Sequence, residues 1–191
     1  MSRIAPDARR QALIEAAVRA LDAHGAAGIS VRAIAREAKV SPGLLTHYFT
    51  GVDDLIAAAY AHVGETVDRA LTEAMGAAGS DPRARLSAYV VASFRPPISD
   101  GALLSTWLAF WSLVKSSPEI ARLHGAIYAG YRAGIEELVR RCAPAADPRL
   151  TAIAITALVD GLWLERGLDP STFTPEEASA IAERWLDALL G

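Results

Sequence analysis

The residues whose types and spacing could do chemistry are mostly aromatic. Trp107 and Trp111 stand four apart, on one face of any helix that carries them, with Phe110 beside them. Tyr128, Tyr131 and Trp163 follow on later segments of helical pattern. Ring faces hold quaternary ammonium ions at about 0.5 to 2 kcal/mol per good contact, and a carboxylate such as Asp160 or Glu165 could supply the counter-charge. The same tryptophan spacing also suits a hydrophobic core, and Asp160 also suits a cap or a hydrogen-bond acceptor at a dimer interface. Catalytic groupings are not apparent. Glu136 and Glu137 are sequence neighbours expected on different helix faces, and Cys142 has no recognisable base partner. No phosphate loop, metal box or nucleophile elbow can be read, and His24, His47, His62 and His124 lack ligand spacing. The expectation is a protein that binds and does not catalyse, with no metal and no cofactor.

The elements that must position these residues read as helices. Of 191 residues, 39 are alanine, 52% are hydrophobic and 21% are charged, which fits one or two globular domains and not a disordered chain. Good helix formers dominate nearly every window. Cap and proline signals punctuate the chain: Pro6, Ser30, Ser41 with Pro42, Asp81 with Pro82, Ser117 with Pro118, Asp147 with Pro148, and Thr174 with Pro175. They predict an all-α fold of nine helices. The first runs to Gly25 or Gly28; the second carries a stripe of Val31, Ile34, Ala35 and Ala38; the fourth is long, over 51–78. No apolar stretch reaches the roughly 18 residues of a membrane span, and the first residues lack a signal core, so a soluble cytoplasmic protein is expected.

Charge divides the chain. Residues 1–50 hold seven Lys and Arg against four Asp and Glu, whereas residues 51–191 hold twelve against eighteen. A basic head suits phosphate contact. Within it, two short helices joined by a tight turn and preceded by an amphipathic helix make a helix-turn-helix, with Ile34, Ala35, Val40, Leu45 and Phe49 as its small core. The head is therefore placed at 1–50, linked through the fourth helix to a body at 51–191.

The wording of this head, VRAIAREAKVSPGLLTHYFTGVDDL from Val31 to Leu55, resembles the DNA-binding head of the tetracycline-repressor (TetR) family over about residues 6–60. The resemblance implies a transcriptional regulator, a repressor released from a palindromic double-stranded DNA operator by a small effector. It assigns Ser30 and Arg32 to phosphate or base-edge contact, Pro42, Gly43, Leu44, Thr46 and His47 to the groove, and Tyr48 to a phosphate. Ser41 suits either a helix cap or DNA, and Leu44 could meet a thymine methyl. Two departures stand out. Lys39 occupies a turn position where the family has Gly and φ is positive, and could reach a phosphate instead; Val52 replaces a lysine, which removes one phosphate contact.

The body, through TWLAFWSLV, AGYRAGIEELVR and ALVDGLWLERGL over roughly residues 103–168, resembles the choline-responsive BetI-type repressors of glycine betaine synthesis. That implies choline or another quaternary amine as effector; the aromatic cluster read independently above, Trp107, Phe110, Trp111, Tyr128, Tyr131 and Trp163 with Asp160, is the candidate site to hold it. The alternative is a same-fold regulator answering to a drug-like or lipid-like apolar effector. Helices eight and nine, small-residue rich and apolar on more than one face, are expected to form a homodimer.

Overall fold

The structure, a computed structural model, describes residues 6–191; the first five residues of the head lie outside the described residues. Among the described residues are nine α-helices, two short 3-10 turns and no strand. The helices are α1 (Pro6–His24), α2 (Val31–Glu37), α3 (Pro42–Tyr48), α4 (Val52–Ala77), α5 (Pro82–Val91), α6 (Gly101–Leu113), α7 (Pro118–Cys142), α8 (Pro148–Leu168) and α9 (Pro175–Leu190).

Their starts lie where the cap residues place them. Asp81 accepts from the Ala84 amide at 2.8 Å and Asp147 from Leu150 at 3.0 Å, each followed by proline in the first turn. Thr174 and Glu177 form a reciprocal capping box, and Ser117 accepts from the Ile120 amide at 3.3 Å. These side chains satisfy amides that the helix itself cannot. Gly25, at φ 62°, ends α1, so the first of the two expected glycine stops is the one used.

The chain forms two compact units that do not follow chain order. The first holds residues up to Gly64 together with Ser105–His124, and the second holds Glu65–Leu104 with Gly125–Gly191. In the first, α1 buries Leu13, Ile14, Ala17 and Leu21, while α2 buries Ala33, Ile34 and Ala35 in succession. The α2 stripe differs from the expected one: Val31 and Ala38 are only half-buried, and Ala33 is buried instead. A helix of two turns packed by α1 on one side and α3 on the other buries two faces, not one. Val40 is likewise half-buried, while Leu45 and Phe49 are fully inside. Ser105–Leu113 of α6 joins this unit, where Thr106 donates to the Val18 carbonyl at 3.4 Å.

In the second unit α9 packs against α5 and α8. Ala178, Ala182 and Leu186 face inward, and at the rim Arg83 pairs with Asp187 at 2.6 Å and Glu183 at 3.5 Å. Ser87 also donates to Glu183. On α8, Thr151, Ile155, Val159 and Trp163 are buried, whereas Leu150, Ile153, Ala157, Gly161, Leu164 and Leu168 line an exposed face. Trp185 of α9 is 48% exposed.

Candidate nucleic-acid interface and effector site

The turn between α2 and α3 is built from the backbone. After Ala38, Lys39 turns to φ 55°, its amide donates to the Arg36 carbonyl at 3.2 Å, and the Val40 amide donates to the Ala35 carbonyl at 2.9 Å. This pair of bonds is the Schellman closure of a helix, which normally takes glycine at the left-handed position. The positive φ expected at this position is present, with lysine in it, and the side chain is exposed.

Beyond the turn, α3 presents an outer surface and an inner one. Ser41, Pro42, Gly43, Thr46 and His47 are exposed, Leu44 and Tyr48 are half-buried, and Leu45 and Phe49 face the core. Ser41 stands at the N-cap of α3, yet its hydroxyl makes no capping bond; at the start of α2, Ser30 does cap, accepting from Ala33 at 3.1 Å. Thr46 donates back to the Gly43 carbonyl at 3.1 Å, and the His47 and Tyr48 rings meet edge to face at 5.2 Å. A Cβ added at Gly43 would touch nothing within 4 Å, so no packing inside the chain requires a glycine there. Arg32 and Arg36 are exposed on α2.

Supports that the sequence does not announce hold these two helices. The Arg10 guanidinium lies 4.9 Å from the centre of the Phe49 ring, and Arg19 of α1 bonds Glu37 of α2 at 2.8 Å. The Asp54 carboxylate accepts from both the amide and the hydroxyl of Thr50, closing the entry to α4. Each joins residues whose pairing depends on the fold or on one side-chain rotamer, and no motif carries it.

The aromatic set divides between the units. In the first, Trp107 and Phe110 are buried around Tyr60, whose ring meets Trp107 edge-on at 5.5 Å and stacks on Phe110 at 4.3 Å. The Tyr60 hydroxyl bonds His124 Nδ1 at 2.9 Å, and Trp111 is half-buried.

In the second unit the structure brings Tyr128, Tyr131, Asp160 and Trp163 into one neighbourhood with Tyr89, Ser93 and Arg132. The Tyr128 hydroxyl donates to Asp160 Oδ1 at 3.0 Å, and the Arg132 guanidinium sits 5.8 Å from the centre of the Tyr128 ring. Burial pushes the Asp160 carboxyl up to about 6, although the Tyr128 bond and the Arg132 charge both pull it down. Trp163 donates its indole N–H to the Ser93 carbonyl at 3.0 Å, and Tyr131 stacks on Tyr89 at 5.4 Å. Gly134 permits that stack, because a Cβ there would stand 3.2 Å from the Tyr89 hydroxyl. No motif or spacing in the sequence marks Tyr89, Ser93 and Arg132; only their meeting in space does. The catalytic alternatives fare differently. Glu136 and Glu137, expected on different faces, both reach Arg140, at 3.0 and 3.2 Å, and partial burial raises the Cys142 thiol pKa, the wrong direction for a nucleophile.

Two short helices with a capped turn, one of them offering a polar outer surface, define a helix-turn-helix DNA-binding protein on an all-α frame. Residues 13–59 match the tetR family of bacterial regulatory proteins, and residues 82–191 match the C-terminal part of BetI-type transcriptional repressors. The chain belongs to the TetR family and is a DNA-binding transcriptional repressor of the BetI type, not an enzyme. It is 33% identical over 182 residues to the HTH-type transcriptional regulator BetI of Paraburkholderia phytofirmans, an alignment covering 95% of this chain and 93% of the relative. A protein crystallised as a transcriptional regulator from Pseudomonas aeruginosa PAO1 shares 45% identity at a TM-score of 0.89, with 98% of this chain and 92% of that one covered. A regulator from Saccharomonospora viridis, crystallised in complex with choline, shares the fold at 20% identity and a TM-score of 0.82, covering 93% and 95%. Regulators of this family bind DNA operators and small-molecule effectors and act as dimers. Among the described residues no helix is long and apolar enough to cross a membrane.

Proposed function

We propose that the protein binds a palindromic operator as a homodimer and leaves it when a quaternary ammonium compound, choline or a relative of it, occupies the second unit. The head at residues 1–50 reads DNA and the body at 51–191 senses and dimerises. The single observation that carries the effector half is Asp160: a half-buried carboxylate that accepts from the Tyr128 hydroxyl at 3.0 Å, with Tyr131 and Trp163 among the aromatic residues of the same unit. Withdrawing a carboxylate from water is costly, and a soft organic cation flanked by ring faces would offset that cost. The choline of the Saccharomonospora viridis neighbour belongs to that protein; here it suggests the probe.

For DNA, Arg32, Lys39, Ser41, Thr46, His47 and Tyr48 would supply phosphate and base-edge contacts, Ser30 would fix the start of α2, and Gly43 would let the backbone approach. The exposed apolar stripe of α8, from Leu150 to Leu168, together with Trp185 of α9, supports a second copy as its cover, since a contiguous apolar face is otherwise rare on a soluble surface. Two heads would then meet successive major grooves about 34 to 36 Å apart.

The test is fluorescence anisotropy of a duplex from the upstream region of its own gene, at 50 and 200 mM salt, with and without choline. Binding that falls at least tenfold with salt and is released by choline supports the reading. Salt-sensitive binding that choline leaves unchanged, while a long-chain acyl compound releases it, would move the effector to the apolar class.

A further inference from the structure

We propose that Arg36 holds an operator phosphate, so that this head grips the DNA backbone along the outer side of α2 and not at the entry to α4. The inference rests on the DNA-reading head proposed above and adds a contact residue to it. The entry to α4 is built against a phosphate. Val52, its first residue, is half-buried and uncharged, and Asp53 and Asp54 stand exposed directly after it. Asp54 already accepts from both the amide and the hydroxyl of Thr50. Two acids in a first turn suit the helix dipole, and they repel an approaching anion.

The cations of the head are used unequally. Arg10 lies over the Phe49 ring, and Arg19 is bonded to Glu37 at 2.8 Å. Arg32, Arg36 and Lys39 are exposed, and among the described residues none of the three pairs with a carboxylate or lies over a ring. Residues four and then three apart fall on one side of a helix, so these cations form a row that runs down α2 into its turn. Glu37 is the one acid of α2, and its bond to Arg19 draws it toward α1, on a different side of the helix from the row. Nothing on α2 therefore opposes the three positive charges. Such a row costs the free head little in water and gains most where it displaces counterions from a phosphate backbone. Arg36 stands at its centre, and the forked donors of a guanidinium fit phosphate oxygens two at a time. Arg36 also occupies the last turn of α2, where a cation complements the helix dipole. That role moves stability, whereas a phosphate contact moves salt dependence, and the two separate by measurement.

Anisotropy titrations of the full-length protein against the duplex from its own upstream region, at 50 and 200 mM salt, test this. Arg36→Gln is expected to lower the slope of log affinity against log salt by about 1, so that its loss of affinity is about threefold larger at the lower salt. The loss should be the same for single-base variants of the duplex, because a phosphate carries no sequence. Arg36→Lys keeps the charge and should keep the wild-type slope. Arg69→Gln removes the same charge from an exposed position on α4, in the second unit, and should also leave the slope as in wild type. A wild-type slope in Arg36→Gln overturns the assignment, and so does an equal fall in Arg69→Gln, which would mark an effect of net charge alone. Thermal unfolding gives an independent readout: a fall of several degrees in Tm for Arg36→Gln with the slope unchanged would confine Arg36 to its own helix and overturn the proposal. Wild-type protein that shows no salt-sensitive binding at either concentration overturns the DNA-reading head together with Arg36.

Discussion

The outer surface of α3 and the Asp160 neighbourhood treat polar atoms in opposite ways. On α3 the polar groups stand in water, where leaving them without protein partners costs little, and they await a partner that is itself polar and charged. Around Asp160 the polar groups are few and buried, and each one left incomplete costs the free protein stability. The difference teaches where specificity is stored. On the proposed function, the head would keep it in an exposed pattern that barely affects folding, while the body would keep it as a stability deficit that a ligand could remove.

Four changes would break or sharpen that contrast. The largest effect belongs to Asp160. Its folded pKa of about 6 lies above the ordinary carboxylate value, so the folded state binds the proton more tightly than the unfolded one. The stabilisation it gives is present below about pH 4 and is lost as pH rises through about 6, a swing of about 2 to 3 kcal/mol. Denaturant unfolding from pH 4 to 8 should therefore show Asp160→Asn gaining on wild type across that window, and parallel pH profiles would remove the deficit from the body. A cationic effector should also bind more weakly below pH 6.

Next in size, Gly43→Ala should cost at least tenfold in operator affinity, about 1.4 kcal/mol, with stability unchanged or slightly raised, since an added methyl meets nothing inside the chain. Full affinity in the alanine variant would show that the backbone does not approach DNA there. Lys39→Gly should stabilise the head by about 1 kcal/mol by relieving the left-handed lysine, and should lower the slope of log affinity against log salt by about 1 if the side chain holds a phosphate. An unchanged slope would reduce Lys39 to a turn residue. The smallest effect is at Leu44, half-buried on α3; Leu44→Ala should relax a thymine preference by a few fold, about 1 kcal/mol, in a panel of single-base variants of the operator.

The same contrast explains what could be read from the sequence. The head was legible because its determinants are local: Ser30, Pro42 and Lys39 act within one turn of their own positions, and the positive φ at Lys39 follows from a closure spanning Ala35 to Val40. Helix starts were legible for the same reason. The Asp160 neighbourhood was only half legible. Tyr128, Tyr131 and Trp163 stood out by composition, but the bond from Trp163 to Ser93 spans 70 residues and that from Tyr128 to Asp160 spans 32, and no short pattern encodes either. The return of Ser105–His124 to the first unit was equally hidden, because burial partners of a uniformly apolar helix such as α6 are chosen by shape.

The caps have one more consequence. At α5, α8 and α9 a side chain bonds an amide three residues on and a proline follows at once, so each of these helices begins where three or four neighbours say, whatever its interior contains. Residues deeper in the helix are thereby released from the task of setting register. A descendant of this chain could exchange Asp160, Trp163 or Ser93 for side chains suited to another small molecule and still have its helices start at the same residues. Punctuation held apart from vocabulary in this way lets one scaffold learn new ligands without relearning how to fold.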